Sequence, residues 1–264
     1  MDQTVEAAKT PRRIEIKSIG TEAPWAWLSA GWSDLKAAPG IALTYGFIFS
    51  LISAIITIGL WVTDNIQFLP PLAAGFMLVG PMLAVGLYET ARRLQSGETP
   101  TLGAALLVST RSPLQLAFMA ILLMVALMFW MRLAMLLFAL FMGTTNVPPP
   151  ELLLTELLLT QNGIALLIVG SAIGAIIAFT VFAVSIITIP LLMQRDVDSF
   201  TAVVTSVRAV AHNWRACLVW AWLIALISIA GIATFFVGMI VTFPLLGFAS
   251  WHAYKSLVNV GEEG

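Results

Sequence analysis

Arg195, Asp196 and Asp198 form the densest charge motif, QRDVD, in a chain otherwise sparing with charge. Two aspartates this close suit a hard divalent cation. The adjoining guanidinium would repel the metal, and the same residues also make a helix cap with a salt bridge. A second group is Tyr88-Glu89 followed by Arg92-Arg93, and a third is Trp251-His252 with Tyr254. These two groups close equivalent apolar runs, so they can join as a polar cluster that holds the chain together. Beside Arg92 and Arg93 they can instead receive an anionic lipid headgroup. Arg132 stands alone inside a long apolar run, which makes it a functional candidate. Snorkelling to the outer headgroups, with Glu151 or Asp64 as partner, explains it equally well.

No nucleophile–base pair, phosphate loop or zinc spacing occurs in the chain. The one cysteine, Cys217, excludes an intrachain disulfide and reads as a small packing residue. Catalytic, cofactor and metal sites are therefore not expected, and the protein is not expected to be an enzyme.

The elements that carry these residues belong in a membrane. Of 264 residues, 59% are hydrophobic and 10% charged, and mean hydropathy is +0.96. Soluble domains hold roughly 45–50% apolar and about 25% charged residues. The fold expected is all-α and polytopic, with the lipid bilayer as its main partner. The net charge of −1 by itself says nothing about nucleic acid, because what matters is where the charges sit, and no nucleic-acid partner is expected.

Residues 1–23 are polar, lack an apolar signal core, and read as a flexible cytoplasmic tail. In the segment 24–38, Trp25, Leu28, Trp32 and Leu35 share one helical face, as in a helix lying at the headgroups. The apolar run 40–62 is long enough to span, and Gly46, Ser50 and Ala54 form a small-residue stripe on it. A second span, 69–88, contains Pro81, which should kink it. Thr99 and Pro100 then open a second interfacial helix, 100–112. A span over 114–142 and a Pro-rich loop follow, then a short amphipathic helix and a fourth span, 163–193. The fourth carries Gly170 and Gly174 four apart and Pro190 near its end. Asp198 or Ser199 caps a third interfacial helix, 199–213, striped by Val203, Val207, Val210 and Trp214. Residues 216–254 fit two spans that turn near 231–238, the second containing Pro244.

The chain thus reads as three units, 24–90, 99–194 and 199–258, each an interfacial helix followed by a hairpin of spans, within one domain over 24–258. Residues 259–264 are left as a short tail. Basic residues set the orientation. Lys9, Arg12, Arg13, Lys17 and Lys36 precede the first span, and Arg92, Arg93 and Arg111 follow the second. Arg195, Arg208 and Arg215 follow the fourth, and Lys255 closes the chain. Lysine and arginine are retained on the cytoplasmic side, so six spans with both ends inside are expected.

The stretches PWAWLSAGWSDLKAAPGIALTYG, LAAGFMLVGPMLAVGLYETARRLQSGE, IPLLMQRDVDSFTAVVTSVRAV and FPLLGFASWHAYKSLV resemble the bacterial integral-membrane family called domain of unknown function 2189. The resemblance covers 24–258 and implies a multi-span inner-membrane protein of no assigned activity. Some members carry a cytochrome c oxidase subunit I label. A haem–copper core needs several intramembrane histidines, whereas this chain has only His212 and His252, both at helix ends.

Two function classes follow. The first is a structural or accessory protein assisting another membrane complex or an envelope process. The second is a transporter or channel for a small or amphipathic solute, with prolines breaking its helices. The lack of midplane charge favours the first.

Overall fold

The computed structural model describes residues 14–143 and 150–259. Apart from its two ends, the loop over 143–150 lies outside the described residues, as do residues 1–13 and 260–264. Strand β1 (Glu15–Ile16) leads into helices α1 (Ala23–Ala37) and α2 (Pro39–Val62), then a single 3-10 turn (Ile66–Phe68). Helices α3 (Leu69–Leu83), α4 (Val85–Gln95), α5 (Leu102–Leu106) and α6 (Pro113–Met142) follow. Next come α7 (Pro150–Leu159), α8 (Gln161–Ser185), α9 (Thr188–Gln194), α10 (Ser199–His212) and α11 (Trp214–Ala233). Helix α12 (Met239–Leu257) and strand β2 (Val258–Asn259) end the described chain.

Among the described residues, five helical segments are long and apolar enough to cross a bilayer: Pro39–Val62, Ile66–Leu83, Pro113–Met142, Gln161–Gln194 and Trp214–Ala233. The sixth expected span is helix α12. It falls short because Trp251, His252, Tyr254 and Lys255 make its final turns polar. The turn before it lies where expected, at residues 234–238, with Phe235 and Phe236 both at positive φ.

Each proline acts differently on its helix. Pro81 lies just before the α3–α4 break at Ala84, where the Tyr45 hydroxyl donates to the part-buried Leu83 carbonyl at 3.0 Å. Pro190 follows the α8–α9 break. There the Ser206 hydroxyl donates to the Ala183 carbonyl at 2.7 Å and accepts from the Ile187 amide at 3.2 Å. In both breaks a hydroxyl from another helix satisfies backbone groups that a buried gap would leave orphaned. Pro244 sits within an uninterrupted α12. The three prolines therefore do not produce one common kink.

The buried centre is built from three short segments. Residues 85–91 of α4, residues 188–193 of α9 and most of α12 from Phe243 to Leu257 are enclosed. Each has a helix from elsewhere in the chain against it: α5 on α4, α10 on α9, and α1 on α12. Small residues permit the contact. A Cβ on Gly31 would lie 2.7 Å from the Ala249 nitrogen, and one on Gly86 would lie 2.1 Å from the Ala105 carbonyl oxygen.

Several local expectations are corrected. Helix α1 buries Pro24, Trp27, Gly31 and Leu35, whereas Trp25 and Trp32 are 56% and 45% exposed. The buried side is the one that fits α12, with Trp27 edge-on to Trp220 at 5.7 Å. Helix α10 buries Ala202, Ser206, Ala209 and Val210, while Val207 and Trp214 face outward. The second interfacial helix is only Leu102–Leu106 and is capped by Thr101, whose hydroxyl accepts from the Ala104 amide. Thr99 is not its cap.

Residues 14–23, expected within a flexible tail, are tied down. Glu15 and Ile16 pair antiparallel with Asn259 and Val258. Asn213 receives the Ile19 amide at 2.9 Å and donates to the Lys17 carbonyl at 2.9 Å. Asn259, expected in the C-terminal tail, is part of this sheet.

Candidate functional site

The end of the bundle that carries the chain's polar motifs is a hydrogen-bonded junction. The Trp251 indole N–H donates to Gln95 Oε1 at 2.9 Å, and the Gln95 amide nitrogen lies 3.3 Å from His252 Nδ1. His252 Nε2 is 2.7 Å from Asp34 Oδ2. The Tyr254 hydroxyl donates to Gln194 Oε1 at 2.9 Å. Tyr88 stacks on Trp251, with ring centroids 6.4 Å apart. Helices α1, α4, α9 and α12 are thereby joined through their side chains. Sequence alone had grouped Tyr88 with Trp251, His252 and Tyr254. It had missed Asp34, Gln95 and Gln194, which carry no motif of their own.

Glu89, Arg92 and Arg93 form a separate charge group on α4. Glu89 accepts from Arg92 at 2.8 Å and from Arg93 at 2.7 Å, and Arg92 also meets Glu98 at 2.9 Å. Burial works against the ionised Glu89. The hydrogen bonds from Arg92 and Arg93 outweigh it and hold the carboxyl below its ordinary value. Two guanidiniums facing two carboxylates leave no net charge, which weakens this group as an anion site.

The QRDVD motif serves local structure. Asp198 caps α10, accepting from the Thr201 amide at 2.8 Å, and the hydrogen bonds from the Thr201 side chain and amide hold its pKa below the ordinary value. The Arg195 carbonyl accepts from the Ser112 hydroxyl at 2.9 Å, and Asp196 Oδ1 lies 3.4 Å from the same hydroxyl. The motif thus pins the start of α6 to the end of α9. No group of three or more His, Cys, Asp or Glu residues that could hold a metal occurs among the described residues. His212 is exposed at the end of α10.

Arg132 is exposed on α6, roughly 28 Å along the helix from Pro113 at the usual rise per residue. Among the described residues no carboxylate, Asp64 included, pairs with it. The Glu151 side chain lies outside the described atoms. Gly174 packs against the Trp130 ring, and Trp130 donates its indole N–H to the Pro71 carbonyl at 2.8 Å. Nothing fills the space above Gly170.

A cavity of about 330 Å³ opens sideways between α3–α4, α8, α11 and α12. Its walls are almost wholly apolar. The lining residues with a polar group are Tyr88, Ser185, Trp222, Ser228 and Ser250. Ser185 is fully buried, and its oxygen has no hydrogen-bond partner. Sequence reasoning did not find this space, because four separate helices form it.

Long apolar helices, breaks repaired by hydroxyls and a polar junction at one end define a multi-pass α-helical membrane protein. Residues 68–194 match the family described as predicted integral membrane protein (DUF2189). The match is narrower than the resemblance over 24–258. No curated protein and no solved structure matches the chain.

Proposed function

We propose that this chain is a non-enzymatic accessory protein of a bacterial inner membrane that assists another membrane complex or an envelope process. It crosses the bilayer six times with both ends in the cytoplasm. The pairing of β1 with β2 carries the topology, because it holds residues 15–16 beside 258–259. Five crossings would leave these strands on opposite faces, which supports α12 as the sixth crossing. The basic residues near both ends favour the cytoplasm for that face.

Three parallel units account for the wrapping pattern. Each interfacial helix lies on the exit segment of the preceding unit, and α1 of the first unit closes the ring on α12 of the third. The accessory role is supported by how the polar side chains are used. Asp34, Glu89, Gln95, Gln194 and His252 bond to neighbours within the fold, which suits a scaffold better than a polar path for solutes. A photo-crosslinking residue at Trp25, Trp32 or Val207 tests the role in native membranes. A discrete adduct with one membrane protein is expected from at least one position. Adducts to lipid alone from all three would remove the proposal's basis.

The sideways cavity favours a second reading, a transporter for an amphipathic solute. Flux of a fluorescent amphiphile into proteoliposomes above protein-free liposomes would put this reading first.

A further inference from the structure

We propose that the gap between α8 and α11 binds one acyl chain of a bilayer phospholipid, with the chain's ester carbonyl at the Ser185 hydroxyl. The inference requires these helices to lie in a bilayer and does not depend on the accessory role.

The gap is a contact that the other units close. In the first and third units, α2 meets α12 so tightly that a Cβ on Gly46 would lie 2.1 Å from the Ile240 oxygen, and Ser50 donates to the Phe236 carbonyl at 2.9 Å. In the first and second, α3 meets α6 through Gly75 against Leu127 and Trp130. The corresponding pair in the second and third units is α8 with α11. These helices are not closely packed, and the 330 Å³ cavity stands between them. Helix α8 leans instead on α6, where Trp130 covers Gly174.

The dimensions and chemistry select the occupant. From Ala175 to Ser185 the α8 wall is about 15 Å long. The volume lies near the lower limit of the roughly 300–1,000 Å³ usual for ligand sites. A helix, about 10–12 Å across with its side chains, would not fit. A polar solute would find apolar walls. No charged side chain lines the cavity, and Arg92 and Arg93 are engaged by Glu89 and Glu98. A free carboxylate would therefore lack a counter-charge, whereas a neutral ester carbonyl needs only a donor. Ser185 is such a donor, buried and unpartnered at the end where Tyr88 and Ser250 also lie. Leaving it unmatched is costly. Trp222, which lines the cavity and is exposed on α11, places the opening against the surrounding lipid.

The test uses the purified full-length protein in bilayer nanodiscs containing a phosphatidylethanolamine with a diazirine in one acyl chain. Adducts are mapped by mass spectrometry. Labelling of peptides around Ala178–Ser185 and Leu218–Ala225 is expected to exceed that at Phe118, an ordinary lipid-facing position on α6. Gly80→Leu fills the cavity, since a Cβ there meets nothing within 4 Å, and should cut cavity labelling at least fivefold without changing Phe118. Ala225→Leu should do the same from the opposite wall and covers the case in which the first variant misfolds. Ser185→Ala should reduce cavity labelling about fivefold, the loss expected of one hydrogen bond. Excess unlabelled fatty acid should not compete. Cavity labelling no higher than at Phe118, or unchanged in both leucine variants, overturns the site. Displacement by the fatty acid overturns the phospholipid as its ligand.

Discussion

Ile16 pairs with Val258 in a two-residue ladder that ties the front of the chain to its far end. The ladder is too short to persist alone, and Asn213 reinforces it from the α10–α11 junction. Its side chain holds both Lys17 and Ile19. Asn213→Ala leaves a part-buried amide and carbonyl without partners. A loss of roughly 1–3 kcal/mol is expected, read as a lower melting temperature in detergent. Faster proteolysis within residues 14–23 should accompany it.

Ser206 should behave similarly for the α8–α9 break. It is the partner of both Ala183 and Ile187, so Ser206→Ala orphans a buried backbone amide. The expected cost is again roughly 1–3 kcal/mol. Ser206→Thr, which keeps the hydroxyl, should retain most of the stability in the same melting assay.

Gly46 is fixed by distance. With a Cβ only 2.1 Å from the Ile240 oxygen, Gly46→Ala must push α2 and α12 apart. At least about 1–3 kcal/mol should be lost. Gly170→Ala, with open space above it, should be neutral or slightly stabilising in the same assay.

How much of this was legible in the sequence differs by residue. The Gly46–Ser50 stripe, the turn over 231–238 and the Asp198 cap could be read because local spacing determines them. The choice of Trp27 over Trp25 as the buried ring could not. Several helices are apolar on nearly every side, so periodicity does not say which side meets protein and which meets lipid. The polar junction was half visible. Trp251 and His252 stood out, but Gln95 and Asp34 gain their roles from contacts across 156 and 218 residues of chain. The cavity was invisible for the same reason.

Glu89 gives a pH dependence. Its folded pKa is lowered from the ordinary 4.5, so it contributes stability that is fully present above that value. The contribution is lost as pH falls through the lower, folded value. Thermal stability should decline below about pH 4.5 in the native protein, and Glu89→Gln should flatten that part of the profile. An unchanged acid limb in the variant would remove Glu89 as its cause.

Arg132 should tolerate lysine. An exposed cation whose stem runs along α6 can reach the headgroups in either form, so Arg132→Lys should express and insert like the native protein. A large loss of folded protein, seen by size-exclusion chromatography, would instead require a partner that only a guanidinium can hold.

The six-crossing arrangement is tested most directly by cysteine labelling in a Cys217→Ala background. Gly97→Cys reports the α4–α5 turn, and Phe235→Cys reports the α11–α12 turn, where the native side chain is 87% exposed. A membrane-impermeant maleimide applied to oriented vesicles should label Gly97→Cys from the cytoplasmic face only and Phe235→Cys from the opposite face only. Labelling of both from the cytoplasmic face would mean that α11 and α12 do not cross, contradicting the six-crossing account.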